Sequence, residues 1–202
     1  MPRLVTFGCS FTRGWDLHDT HPSNHTPSKF AWPSVLAKKL GYSVDNQSNG
    51  GSGNAEILNK IIRYNFKPDD LCIVAWSLFI RLDGFKYVSD TENIRLESSE
   101  LNKDFVLFNA KYDYDLSVRN YLTMQHGSLL LEKLNIKSVS FLWSHDLHIN
   151  PKPDYIEIPN FMDLRPFNYI VDKAIDNQHP GIRSHSLLAD KIYDRMREYV
   201  VH

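Results

Sequence analysis

Three residues of this chain have the types and spacing that acyl transfer needs. Ser10 stands in the run Gly8-Cys-Ser-Phe-Thr-Arg-Gly14, after the apolar stretch Leu4 to Phe7, where a strand would give way to a tight turn and present a hydroxyl. Far along the chain, Asp176-Asn-Gln-His179-Pro180 offers a carboxylate and an imidazole three residues apart, just ahead of a stretch with helical periodicity. A serine whose proton is taken by an imidazole, itself oriented by a carboxylate, is a nucleophile for esters and amides. Pro180 restrains the loop on one side and so helps to aim the imidazole. Each end also has an ordinary reading: a serine after a strand caps helices, and a loop histidine faces water. Thr12 stands where a Gly-x-Ser-x-Gly elbow would have its second glycine, which disfavours the usual α/β-hydrolase arrangement.

A third segment, Asn46-Gln-Ser-Asn-Gly-Gly51-Ser-Gly-Asn54, lies between a strand-like run and a helical one. Backbone N–H groups in such a loop can approach an oxyanion or a phosphate with no Cβ in the way. It fits neither the dinucleotide fingerprint nor the P-loop, since it lacks a lysine at the required place. A plain turn into a helix is its ordinary reading.

The elements that must position these groups follow from periodicity. Leu4 to Phe7, Tyr42 to Val44, Leu71 to Trp76 and Ser138 to Trp143 are short apolar runs of the kind that form buried parallel strands. Helical stripes occur at 30–40 (Trp32, Val35, Leu36, Leu40), 54–65 (Ile57, Leu58, Ile61, Ile62), 118–134 (Tyr121, Leu122, Leu129, Leu130, Leu134) and 184–199 (Leu187, Leu188, Ile192, Met196). Gly41 should close the first helix, and Ser52 or Asn54 should cap the second. Strands alternating with helices predict a parallel sheet covered on both faces, a three-layer α/β/α sandwich. Residues 84–116 and 144–168 break the pattern and read as insertions in one domain spanning 1–202. Ligands bind at the carboxyl ends of the strands in such sheets, so these insertions could overhang the site or merely decorate the surface.

With 202 residues, 42% hydrophobic, 23% charged and a net charge of −1, the chain is long enough for one α/β core. The charge gives no reason to expect nucleic acid or an anionic membrane as partner. No leader or membrane-spanning run is visible, so a cytoplasmic protein is expected. Cys9 and Cys72 lie in strand-like surroundings and read as two reduced, packed thiols. His18, His21 and His25 with Asp16 and Asp19 crowd one loop, and His145, Asp146 and His148 another, but neither has a metal-specifying spacing. No metal and no cofactor is expected. Trp15, Trp32, Trp76 and Trp143 lie near predicted element ends, where tryptophan can line a substrate platform, although core packing is its commoner use.

Together, Gly8 to Gly14, the loop around Gly51 and Asp176-x-x-His179-Pro180 resemble the first, second and fifth sequence blocks of the SGNH (GDSL-like) hydrolases, in that order. The resemblance spans nearly the whole chain through short motifs. It implies a flavodoxin-like sheet, Ser10 as nucleophile, His179 as base, Asp176 as its orienting carboxylate, and the backbone N–H groups of Ser10 and Gly51 as oxyanion donors. The family's third donor is an Asn after the third strand, where this chain reads Val74-Ala-Trp-Ser-Leu-Phe-Ile-Arg81. That Asn is missing. Ser77 is slightly favoured as its replacement because it leaves the third strand at the same place, with Asn54 as the other candidate. Arg81 and Trp76 are the expected substrate contacts.

The function expected from this reading is hydrolysis of an O-acetyl or short acyl ester, on a small molecule or a carbohydrate, through an acyl-serine. Two rivals stay open: a weak or inactive glycan-binding or assembly protein of the same fold, and a flavodoxin-like binder of phosphate or nucleotides. Acyl length, alcohol side and oligomeric state are not legible.

Overall fold

A computed structural model describes residues 1–20, 26–78, 84–89, 92–96, 113–143 and 152–200. Its elements run β1 (Arg3–Phe7), α1 (Ser10–Arg13), α2 (Trp32–Leu40), β2 (Ser43–Asn46), α3 (Asn54–Arg63), β3 (Leu71–Trp76), β4 (Gly84–Ser89), β5 (Glu92–Leu96), α4 (Asp113–Lys133), β6 (Lys137–Leu142) and α5 (Ile182–Val200). A 3₁₀ turn at Pro166–Tyr169 precedes α5.

Four strands form one parallel sheet in the order β2-β1-β3-β6. The chain leaves β1 for one side, builds β2, and returns to build β3 on the other side. That reversal makes the carboxyl ends of β1 and β3 the topological switch point, the place where open α/β sheets bind ligands. Register fixes it further, with Phe7 opposite Val74, so the residues after Phe7 and after Trp76 emerge side by side.

Alternation along each strand divides the core in two. Leu4, Ile73, Ala75, Val139 and Phe141 face α2 and α5, where Trp32, Leu36, Leu188, Ile192 and Met196 cover them. Val5, Phe7, Cys72, Val74, Trp76 and Leu142 face α3 and α4, against Ile57, Ile61, Tyr121, Met124 and Leu131. The result is the expected three-layer α/β/α sandwich.

Several details depart from the sequence reading. The second strand is an exposed edge rather than a buried one, and its Val44 is 40% exposed because no described strand pairs beyond it. On α4 the stripe is narrower than expected: Tyr121, Met124 and Leu131 turn inward, while Leu122 and Leu129 face out, as do Leu134 just past the helix end and Ile62 on α3. Gly41 closes α2 in the left-handed conformation (φ 71°), as expected. The cap of α3 is Gly53, with neither Ser52 nor Asn54 capping it. Within the first irregular region, β4 and β5 pair as a separate antiparallel hairpin, which the sequence reading missed. The second region comes back to the sheet: Ser140 N–H donates to the Asn160 carbonyl (3.0 Å) and Met162 N–H to the Ser140 carbonyl (2.7 Å), extending pairing beyond β6. Cys9 and Cys72 are buried free thiols. Among the described residues no helix is long and apolar enough to cross a membrane.

His185, in the first turn of α5, ties that helix to α2 by accepting the Trp32 N–H on Nδ1 (3.1 Å). Burial pushes its imidazole down to about 4; Asp172 pulls the other way, and His179 adds to the lowering. The unfolded chain takes up this proton near pH 6.5, so it binds more protons than the fold between those values. Stability from this group is therefore complete above about pH 6.5 and falls by about 3 kcal/mol on the way to pH 4. Urea midpoints at pH 7 and pH 4.5 should differ accordingly, and His185→Asn, which keeps an acceptor for Trp32, should flatten the difference.

Candidate active site

The serine turn is built by three small or turn-prone residues. After β1, Gly8 lies so close to the Thr12 side chain and the Ala75 carbonyl (3.1 Å from an added Cβ) that no larger residue fits. Cys9 stays extended and caps the single-turn α1, accepting the N–H groups of Thr12 and Arg13 at 3.0 Å. Gly14 then ends α1 at φ 75°, returning its N–H to the Ser10 carbonyl. Ser10 is the first residue of that turn and is 4% exposed.

Asp176 and His179 occupy the tip of a tight hairpin. Lys173 bridges Pro180, Ala174 N–H donates to the His179 carbonyl (2.9 Å), and Asn177 takes the left-handed conformation at φ 57°. At this tip the imidazole donates its Nδ1–H to Asp176 Oδ2 at 2.5 Å. The N–H groups of Gln178 and His179 both donate to Asp176 Oδ1 at 3.0 Å. Burial raises the Asp176 carboxyl, but these hydrogen bonds outweigh it and hold the group down to about 2. Asp176 is thus an anion at neutral pH with His179 fixed on it.

Two contacts bring the hairpin to the serine turn. The ring of Phe11, the residue after Ser10, meets the His179 ring edge to face at 5.3 Å. Ile175 N–H donates to the Asp16 carbonyl (3.1 Å), and the Asp16 carboxylate lies within 4.8 Å of both Asp176 and His179 ligand atoms. Phe11 also packs on Trp143 (5.0 Å) and Phe167 (5.9 Å), so an aromatic wall stands beside the imidazole.

The glycine loop docks on the other side of the turn. Gln47 N–H donates to the Thr6 carbonyl and Asn49 N–H to the Gly8 carbonyl, while Asn46 Nδ2 donates to the Thr12 carbonyl (3.0 Å). Gly51 adopts φ 70°, and its N–H meets no acceptor among the described residues. A Cβ at Gly50 would sit 2.9 Å from the Trp15 ring.

At the end of β3, Ser77 is fully buried and its Oγ has no partner among the described residues. Asn54 grips its backbone from both sides, accepting the Ser77 N–H (2.7 Å) and donating to the Ser77 carbonyl (3.2 Å). The second amide hydrogen of Asn54 goes to Asn120 Oδ1 (2.6 Å), and Asn120 in turn donates to the Leu116 carbonyl. Both hydrogens of the Asn54 amide are therefore engaged, and its place in the site is to hold Ser77. Asn54→Ala would strand three buried polar groups, each worth about 1–3 kcal/mol when unsatisfied. A fall of about 3 kcal/mol or more is expected, read as a melting temperature lower by roughly 6–12 °C for a chain of this size.

Two expected substrate contacts stand differently. Trp76 is 0% exposed and packed in the core under Gly127, so it supports the sheet and offers no face to a ligand. Trp32 and Trp143 are likewise buried. Arg81 lies outside the described residues, as do His21, His25, His145, Asp146 and His148; His18 is exposed. A cleft of about 750 Å³ opens at the opposite, amino ends of the strands, among Pro2, Tyr42, Lys137 and Tyr193. The sequence reading did not single out Phe11, Arg13 or Asn120. Phe11 and Arg13 had one signal, their place within the serine motif.

No protein-family model and no curated protein matches the chain. Solved structures of the same fold do. TesA superposes with a TM-score of 0.59 at 12% identity, covering 98% of this chain and 99% of its own. Est24, a carbohydrate acetylesterase from Sinorhizobium meliloti, gives 0.55 at 12% identity over 98% and 99%. A putative lipolytic protein of the G-D-S-L family from Desulfitobacterium hafniense gives 0.51 at 12% identity over 95% and 98%. Full-length coverage in both directions leaves no large part of the chain outside the match, and the chain has the SGNH (GDSL-like) hydrolase fold.

Proposed function

We propose that the protein is a serine hydrolase that cleaves an O-acetyl or short acyl ester through an acyl-Ser10 intermediate. The observation that carries this reading is the Asp176–His179 pair, closed at 2.5 Å on a hairpin tip and packed against the residue that follows Ser10. Asp176 fixes the tautomer in which Nδ1 carries hydrogen, leaving Nε2 as the base. Ser10 Oγ attacks the ester carbonyl as its proton passes to Nε2. The resulting oxyanion is met by the N–H groups of Ser10 and Gly51 and by the Ser77 hydroxyl. The imidazolium then protonates the departing alcohol. Water, deprotonated by the same Nε2, releases the acid and restores Ser10.

A carbohydrate alcohol is the favoured leaving group, because a carbohydrate acetylesterase is among the structures sharing the fold. Incubation with p-nitrophenyl acetate and with an acetylated xylo-oligosaccharide tests the reading. Nitrophenol or acetate release, with an acetyl adduct trapped on the Ser10 peptide by acid quench and mass spectrometry, is the expected result. A folded protein that releases neither and carries no adduct would turn the assignment to a non-catalytic binding protein.

A further inference from the structure

Arg13 ends the single-turn helix that Ser10 begins, and its side chain is sealed in the wall between the serine turn and the glycine loop. The residue is 6% exposed. Nη1 donates to the Ser48 carbonyl (3.2 Å) and lies 3.4 Å from Asn49 Oδ1, and the guanidinium stands 5.7 Å from the Trp15 ring centroid. Nη2 is buried with no acceptor, and no carboxylate pairs with Arg13 among the described residues. A guanidinium stays charged in proteins. Burying such a charge without a counterion costs several kcal/mol, so a fold that keeps one is using it.

Its partners indicate the use. Ser48 and Asn49 are the two residues before Gly50 and Gly51, and Asn49 is held a second time by the Gly8 carbonyl and a third by Glu56 Oε1 (3.2 Å). Arg13 thus grips the stem of the loop whose Gly51 N–H is unengaged.

We infer that Arg13 is a positioning residue of the proposed esterase, holding through Ser48 and Asn49 the stem of the loop that carries Gly51. This rests on the ester-hydrolase reading, and the experiment separates the two. Arg13→Gln and Arg13→Lys are compared with wild type in p-nitrophenyl acetate turnover and in hydrogen exchange of the Asn49 amide, with β3 amides as reference. In Arg13→Gln, kcat should fall roughly 10- to 100-fold with KM within about twofold, and Asn49 exchange should accelerate while β3 does not change. Arg13→Lys should recover most of kcat. Unchanged kcat and exchange in Arg13→Gln would overturn the inference, and so would acceleration throughout β3, which would make Arg13 an ordinary core support. A wild type without turnover whose Asn49 exchange still responds locally would refute the esterase and leave the loop-holding role standing.

Discussion

Ser10→Ala is expected to abolish turnover, lowering kcat by on the order of 10⁶-fold, the scale on which loss of the nucleophile acts in serine hydrolases whose triad works as a unit. Among the described residues, the hydroxyl and thiol that neighbour Ser10 in the turn cannot replace it. Thr12 is buried and turned under Gly8, and Cys9 is a buried thiol forming the cap of α1. The fold should hardly notice the change, since Ser10 makes its structural contribution through backbone atoms, its carbonyl accepting the N–H groups of Gly14 and Trp15. A melting temperature within a few degrees of wild type, beside lost turnover, is the pattern that assigns the effect to chemistry.

Asp176→Asn should cost roughly 10⁴-fold in kcat, the scale seen when an orienting carboxylate becomes an amide and the imidazole is left in the wrong tautomer. The geometry makes the prediction sharp. Asp176 Oδ1 takes two backbone N–H groups and Oδ2 takes the imidazole, so an Asn there would keep its oxygen on the backbone and turn its NH₂ toward Nδ1. His179 would respond by carrying its hydrogen on Nε2, where it can no longer accept the Ser10 proton. The hairpin itself would stay closed through its Ala174–His179 backbone bond. Activity of Asp176→Asn within tenfold of wild type would remove Asp176 from the mechanism.

How far sequence reaches into this molecule depends on the kind of interaction. The run Leu71 to Trp76 is a strand because every residue is buried on one face or the other, and its bounds were read without error. Tyr42 to Val44 looked the same yet forms an edge, since burial of a short strand depends on what lies beyond it and not on its own residues. In α4 the run Leu129-Leu-Leu131 hides which leucine points inward; packing against α3 selects Leu131 and, a turn or more away, Met124 and Tyr121. The Asp176–His179 hydrogen bond was legible because its two partners are three residues apart. Asn54 reads from sequence as a cap or an oxyanion donor, and only the sheet order ties it to the Ser77 backbone and to Asn120, 23 and 66 residues away. Arg13 hid for the same reason: its acceptors are 35 and 36 residues distant.

Whether Ser10 is an activated nucleophile decides the assignment, and reaction with a fluorophosphonate probe reads that state directly, without knowledge of the natural ester. The expected result is stoichiometric labelling of the peptide carrying Ser10, lost in His179→Ala although that variant stays folded. A folded wild type that remains unlabelled, or a label placed on any other residue, would contradict it.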